Sequence, residues 1–127
     1  MPLVRISVPS GKRAEYLKAV SDGVHQALVE IFKIPADDLF QIITEHVPAT
    51  QLVRPQRYLG IDYSDDLMVI QITANDTRTV EQKKALYKGI AQRLTNSPGV
   101  RAQDILINLV EVKKENWSFG NGEAQYA

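Results

Sequence analysis

The chain has 127 residues, the length of one compact domain, and its 44% hydrophobic and 24% charged residues are typical of a globular protein. Fifteen basic residues balance fifteen acidic ones, and this net charge of zero disfavours nucleic acid as a partner. The chain has no cysteine, which excludes disulfides, thiolate metal sites and cysteine nucleophiles. The two histidines lie at no recognisable metal-binding spacing, so we expect no metal.

The amino-terminal segment is not typical of a signal peptide, because its apolar run over residues 3–8 is short and contains Arg5. Nothing approaches the roughly 18 apolar residues of a membrane span. The chain also has no GxGxxG or P-loop motif, so we expect no nucleotide cofactor. These observations predict a cytoplasmic protein that binds neither a membrane nor a cofactor.

The first elements in chain order are a strand, a helix and a second strand. Residues 2–8 alternate apolar and polar side chains, as a half-buried strand does. Ser10-Gly11 interrupts this pattern, and the apolar spacing then predicts a helix from about Lys12 to Phe32. Pro35 prevents the helix from continuing, and residues 39–47 form the next predicted strand.

The second half of the chain repeats this plan, with a strand over 67–74, a helix over 79–94 and a strand over 104–112. Thr79 and Gln82 have the spacing of a capping box, in which each side chain bonds the backbone N–H of the other residue. The connecting segment 48–66 is predicted as a loop with a short strand near 58–61.

A comparison of the sequence with itself at a shift of 66 positions supports a tandem duplication. The matched pairs are Ile6/Ile72, Glu15/Glu81, Lys18/Lys84, Ala19/Ala85, Gly23/Gly89, Gln26/Gln92, Leu28/Leu94, Ala36/Ala102, Asp38/Asp104 and Glu45/Glu111. Lys12 and Arg78 form a further conservative pair. The matches continue from the helix into the following strand, which two unrelated amphipathic helices would not explain.

The repeats, over about 2–47 and 68–113, predict a single α+β domain that spans residues 1–127. Two β-α-β units give a four-stranded mixed sheet with both helices on one face. The uncovered face is expected to carry many apolar side chains and therefore to mediate oligomerisation.

Pro2 has the clearest catalytic chemistry in the sequence. Removal of Met1 would leave its ring nitrogen as a free secondary amine. An α-amino group has a pKa of ~8, which desolvation and a neighbouring cation both lower. A neutral amine would act as a general base and, once protonated, as a general acid. The alternative is that a strand-initial residue simply tolerates proline, since it needs no N–H.

Pro2-Leu3, followed by Gly11-Lys12 and a helix bearing Glu15, resembles the opening of 4-oxalocrotonate tautomerase and its relatives. In those proteins a proline-initiated strand leads into a turn whose basic residue binds a carboxylate. Segments 34–41 (IPADDLFQ) and 116–120 (NWSFG) resemble the malonate semialdehyde decarboxylase-like branch of this tautomerase superfamily. The resemblance covers nearly the whole chain and implies a tautomerase fold, a cofactor-independent enzyme, catalysis by Pro2 and a homotrimer.

The resemblance also assigns roles to polar residues. Asp38 matches the acid that cooperates with the proline in the decarboxylases, although Asp37 competes for this position and a structural role at the strand start is an alternative. Arg78 matches one of two arginines that face the proline, and a guanidinium binds a carboxylate through two parallel hydrogen bonds. The other arginine is replaced by Asp76, an acid that would repel a substrate carboxylate. Lys12 is a further candidate for anion binding, with a solvated lysine as its alternative.

Three aromatic residues, Trp117, Phe119 and Tyr126, match positions that wall the pocket in this branch. The predicted function is therefore keto-enol tautomerisation of a small 2-oxo or enol carboxylic acid. A malonate semialdehyde decarboxylase-like or hydratase and dehalogenase-type activity is the alternative, and Asp76 counts against it. A non-catalytic oligomeric protein that binds a small ligand is a third possibility, which the joint presence of Pro2 and Arg78 disfavours.

Overall fold

Two strand–helix–strand units follow one another in a computed structural model that describes residues 2–127. The strands are β1 (Leu3–Pro9), β2 (Gln41–His46), β3 (Arg57–Tyr58), β4 (Ile61–Asp62), β5 (Met68–Asn75) and β6 (Ile105–Val112). The helices are α1 (Ala14–Ile31) and α2 (Val80–Asn96), with short 3-10 turns at Ala102–Asp104 and Lys114–Asn116.

The main sheet has the strand order β2-β1-β5-β6. Within each unit the two strands are parallel, whereas the central strands β1 and β5 are antiparallel. This arrangement confirms the predicted four-stranded mixed sheet. Because β1 and β5 run in opposite directions, the beginning of β1 lies beside the end of β5, and the pair Leu3–Thr73 marks this edge.

Both helices cover one face of the sheet, as predicted. The core consists of alternate residues of the central strands and one stripe of each helix. Its fully buried members include Val4, Ile6, Val8, Val20, Val24, Leu28, Met68, Ile70, Ile72, Leu86, Ile90 and Leu94. The helices approach closely at Gly23 and Gly89, where an added Cβ would lie 2.8 Å from Leu94 Cδ2 and 2.5 Å from Ile31 Cδ1 respectively.

The uncovered face is more polar than predicted. Ile42, Leu106 and Val110 are 37–40% exposed, but the next positions on the same face are polar: Thr44 follows Ile42, and Asn108 lies between Leu106 and Val110. Across the strands β5 and β6, Gln71 Nε2 donates a hydrogen bond to Asn108 Oδ1 at 3.0 Å. The face is therefore a mixed surface rather than a continuous apolar patch.

Helix boundaries agree with the sequence to within two residues. Helix α1 begins at Ala14 because Gly11 has a φ of 87° and Arg13 is extended. It ends one residue before the prediction, at Ile31, since Lys33 takes a left-handed φ of 60°. The capping box of Thr79 and Gln82 is confirmed at the start of α2.

The segment between the units contains a small hairpin instead of the single short strand expected near residues 58–61. Strands β3 and β4 pair in an antiparallel arrangement, and Leu59 and Gly60 form the turn with φ values of 51° and 78°.

Within residues 2–127, neither helix is long and apolar enough to cross a membrane.

Candidate active site

Pro2 is buried at the start of β1, where it borders an apolar cavity of about 270 Å³. The cavity is lined by Pro2, Leu3, Phe40, Trp117, Ser118 and Phe119. Met1, whose removal would free the proline nitrogen, lies outside the described residues. Grooves of larger volume run along the helices, but they are lined mainly by charged and polar side chains such as Lys18, Asp22 and Arg93.

The sheet topology brings other predicted residues to the same edge. Residues that follow β5, including Arg78, lie toward the same edge of the sheet as Pro2, because β5 ends beside the start of β1. Neither Arg78 nor Asp38 lines the cavity itself. The backbone N–H of Val4 donates to the Phe40 carbonyl oxygen at 3.0 Å, which places the segment ahead of β2 at this edge too. Asp38 belongs to that segment and is 7% exposed.

Arg78 is held against the end of α1. Its Nη2 donates a hydrogen bond to the Phe32 carbonyl oxygen at 2.9 Å, and its guanidinium lies 4.6 Å from the Phe32 ring centroid. Burial lowers the pKa of Arg78, and the negative charge of Asp38 opposes this shift. A guanidinium keeps its charge under such conditions, so this edge of the sheet carries a fixed cation.

Asp38 is electrostatically linked to the same cation. Burial, with a contribution from Asp37, raises the pKa of Asp38 above its ordinary value, while His25 and Arg78 are among the positive groups that lower it. Asp37, the competing acid in the sequence, is exposed to solvent. Asp38 is therefore the buried member of the pair.

Four aromatic side chains, Phe40, Trp117, Phe119 and Tyr126, form a continuous aromatic wall. The Trp117 and Phe119 rings are stacked, with centroids 5.4 Å apart and an interplanar angle of 13°. Phe40 lies 6.3 Å from Phe119, and Tyr126 meets Phe119 edge-on at 5.1 Å. Tyr126 is the outer member of the wall: it does not line the cavity and is 43% exposed.

Asp76 follows β5 and is exposed, and its backbone N–H donates to the Val112 carbonyl oxygen at 2.9 Å. Its side chain belongs to an ionic cluster with Lys83 and Glu111. Lys83 Nζ donates to Glu111 Oε1 at 2.6 Å, and interactions with Lys83 first and Asp76 second lower the pKa of Glu111. The local cation Lys83 thus partly offsets the charge of Asp76.

The structure does not bring Lys12 to this cavity within one chain. Lys12 follows the opposite end of β1, where its Nζ donates to Asp66 Oδ1 at 2.8 Å and lies 5.2 Å from the Tyr16 ring centroid. Lys12 is the repeat equivalent of Arg78, and the antiparallel pairing of the two units carries equivalent residues to opposite edges of the sheet.

Asp104, the repeat equivalent of Asp38, is fully buried and extensively hydrogen-bonded. It accepts hydrogen bonds from the Ser64 backbone N–H at 2.8 Å, the Ser64 hydroxyl at 2.5 Å and Arg101 Nη1 at 3.1 Å. These bonds join the loop ahead of β5 to the start of β6, which gives Asp104 a structural role.

Phe40, which lines the cavity, and two supporting residues were not predicted as site residues from the sequence. Phe32 holds Arg78 through both its ring and its carbonyl group. Asn75 is 7% exposed and accepts a hydrogen bond from Trp117 Nε1 at 2.7 Å. The sequence feature that could have indicated Asn75 is a polar residue at the end of an apolar strand.

Among residues 2–127, no group of three His, Cys, Asp or Glu side chains is placed to hold a metal ion.

Comparison with known proteins gives consistent results across the chain. Two family models, both described as tautomerase enzyme, match residues 2–58 and 38–120. The probable tautomerase YusQ of Bacillus subtilis is 41% identical over 125 residues, with 98% of each chain covered. The probable tautomerase YrdN of the same organism is 34% identical over 126 residues, which cover 99% of this chain and 96% of YrdN.

Solved structures show the same relationship. The FG41 malonate semialdehyde decarboxylase inhibited by 3-bromopropiolate superposes with a TM-score of 0.91 at 37% identity, covering 98% of this chain and 93% of that chain. A fused 4-OT symmetric trimer shares the fold, with a TM-score of 0.79 at 21% identity, covering 98% of this chain and 97% of that chain. From its sequence and its fold, the chain belongs to the tautomerase family.

Proposed function

We propose that the chain is a cofactor-independent tautomerase that interconverts the keto and enol forms of a small 2-oxo carboxylic acid, with Pro2 as its general base and acid. The observation that carries the proposal is the burial of Pro2 against an apolar cavity at the edge of the sheet where β5, the strand ahead of Arg78, ends. Kinship with two probable tautomerases supports the same class of reaction.

The environment of Pro2 favours a neutral amine in the processed chain. A free amino terminus has a pKa of ~8, and removal from water disfavours its ammonium form. The cavity is bordered mainly by carbon atoms of Leu3, Phe40, Trp117 and Phe119. Arg78 adds a positive charge at the same edge, which also disfavours protonation of the nitrogen.

Arg78 is the proposed carboxylate-binding residue. A guanidinium has five N–H donors, and the bonds to the Phe32 carbonyl oxygen and the Thr77 hydroxyl hold it in a defined orientation while other donors remain for a substrate. A carboxylate bound there would also bring the adjacent substrate oxygen near the cation, which stabilises negative charge on that oxygen as the proton leaves.

The proposed proton transfer needs no further reactant. The neutral Pro2 nitrogen takes the hydroxyl proton of the enol, and the electron pair of the O–H bond forms the carbonyl group. The carbon–carbon double bond then takes a proton at carbon from the Pro2 ammonium, which restores the neutral amine. The apolar rings of the aromatic wall would shield one side of a bound substrate from water, which strengthens the attraction between Arg78 and the substrate carboxylate.

Decarboxylation or hydration is the second candidate, and the 37% identity to the FG41 malonate semialdehyde decarboxylase is the observation in its favour. In that reaction Asp38 would orient the attacking water. Asp76, which stands where a second arginine is expected, counts against it.

We also propose a homotrimer assembled through the uncovered sheet face. Light scattering after size-exclusion chromatography tests this oligomeric state.

The experiment uses protein made without an amino-terminal tag, with loss of Met1 confirmed by mass spectrometry. Ketonisation of phenylenolpyruvate and 2-hydroxymuconate is followed for the parent protein and for Pro2→Ala, and malonate semialdehyde is tested in parallel. We expect the enol acids to be turned over and Pro2→Ala to lose at least about 10²-fold in kcat/KM. Turnover of malonate semialdehyde without ketonisation would favour the second candidate.

A further inference from the structure

Asn75 joins the sheet to the carboxyl-terminal tail, residues 113–127. It is the last residue of β5 and is 7% exposed. Its Oδ1 accepts a hydrogen bond of 2.7 Å from Trp117 Nε1, across 42 positions of sequence. A partly buried indole N–H is stabilised by an acceptor, and Asn75 supplies one from a rigid strand.

The tail that carries Trp117 has little regular structure. Beyond the turn Lys114–Asn116 it contains left-handed or glycine-only backbone at residues 120–122. Gln125 closes the tail on itself, because its side chain accepts a hydrogen bond from the Phe119 N–H and donates one to the Gly120 carbonyl oxygen. The bond from Trp117 to Asn75 ties this self-contained loop to the sheet.

The orientation of Trp117 also determines where the neighbouring ring lies. Trp117 and Phe119 are stacked with an interplanar angle of 13°, and both border the cavity together with Pro2. An indole fixed at its N–H can neither rotate nor withdraw without breaking this partly buried hydrogen bond. The flat apolar surface beside Pro2 is therefore held in place by Asn75.

We infer that Asn75 is a positioning residue that fixes Trp117 against the cavity and thereby selects substrates with a flat apolar substituent next to the reacting carbon. The kinetic part of this inference rests on the proposed tautomerase function. Its structural part does not, and the two are tested separately.

Trp117 is the single tryptophan of the chain, so intrinsic fluorescence reports on this contact directly. Asn75→Leu removes the acceptor while keeping the number and branching of side-chain heavy atoms, and Asn75→Asp keeps an acceptor. We expect the Asn75→Asp emission to match the parent, and Asn75→Leu to emit at longer wavelength and to be quenched more strongly by acrylamide. Circular dichroism checks the fold of each variant. Unchanged emission and quenching in folded Asn75→Leu would overturn the inference.

The kinetic arm compares phenylenolpyruvate with the enol of pyruvate, which lacks the aromatic substituent. We expect Asn75→Leu to lower the preference for the aryl substrate roughly tenfold, the effect of one lost hydrogen bond, and Asn75→Asp to retain it. In a Trp117→Phe background, Asn75→Leu should change this preference no further. Equal losses on both substrates would indicate general damage and contradict the inference. If the parent protein shows no turnover dependent on Pro2, the proposed function fails while the fluorescence result still decides the role of Asn75.

Discussion

The guanidinium carbon of Arg78 lies over the ring of Phe32, 4.6 Å from its centroid, and Arg78 Nη2 donates a hydrogen bond to the Phe32 carbonyl oxygen at 2.9 Å. Phe32 is the C-cap of α1, where carbonyl groups lack partners within the helix and favour a cation. The end of the first helix therefore orients the arginine that follows β5, and the site depends on both repeats.

Replacement of Arg78 by lysine should keep the charge but lose the contact of the guanidinium with the Phe32 ring and its forked hydrogen bonds. We expect kcat/KM for enol acids to fall on the order of 10²-fold, with an increase in KM as the main cause. Arg93→Lys is the matched control, since Arg93 pairs with Gln26 and Glu30 on the outer side of the helices. Steady-state kinetics of Arg78→Lys that equal those of the parent would contradict the proposed carboxylate contact.

Asp38 and Asp104 are equivalent in the repeat, but their replacement by asparagine should have opposite effects on the melting temperature. Burial raises the pKa of Asp38, so the folded state favours the neutral form of its carboxyl group. The contribution of this group to the free energy of unfolding is therefore most favourable below the ordinary aspartate pKa and is lost as pH rises through the raised value. Asp38→Asn should therefore raise the melting temperature at pH 7, and the gain should shrink toward acid pH. Asp104→Asn should lower the melting temperature, because three hydrogen bonds converge on that carboxylate. Calorimetry across pH decides, and a loss of stability for Asp38→Asn at pH 7 would count against this account.

Tyr16 should ionise only in strong base. Burial first, then the charges of Asp66 and Asp104, raise the pKa of Tyr16 from 10.0 to about 12. Because the unfolded chain loses this proton near pH 10, stability falls between pH 10 and pH 12. Absorbance titration of the phenolate in the parent and in Tyr16→Phe should differ by one group that ionises near the upper value. A difference curve centred at the ordinary tyrosine pKa would refute the prediction.

The close approach of the helices at Gly89 makes a specific packing prediction. An alanine Cβ there would lie 2.5 Å from Ile31 Cδ1, an atom that Ile31→Val removes. We expect Gly89→Ala to destabilise the fold less in the Ile31→Val background than alone, with a favourable coupling of about 1 kcal/mol. Urea unfolding of the four proteins measures this coupling, and strictly additive free energies of unfolding would show that the contact does not limit packing.

The internal repeat made the sheet predictable, since a shift of 66 positions aligned the two units and hydrophobic periodicity placed their strands and helices. Helix ends were less accurate because the left-handed Lys33 ends α1 ahead of Pro35. The single short strand expected in the connecting segment became a hairpin, since the Leu59–Gly60 turn has no strong sequence signal.

The site was only partly predictable. The resemblance points to Pro2, Asp38, Arg78 and Trp117 as candidate site residues, but spacing alone does not show which edge of an antiparallel pair a residue reaches. For this reason Lys12 was grouped with Arg78, although the structure carries it to the opposite edge. The partners that hold the site, Phe32 and Asn75, act through a carbonyl group and an amide whose roles depend on tertiary contacts.

The free amine of Pro2 is the centre of this account, and one comparison isolates it. The processed chain is compared with a chain whose amino terminus is extended by one uncleaved residue, so that the proline ring stays but its nitrogen becomes an amide. Ketonisation of phenylenolpyruvate is measured for both, with mass spectrometry to verify each terminus. The account predicts a loss of at least about 10²-fold in kcat/KM for the extended chain. Equal kcat/KM values for the two chains would contradict it.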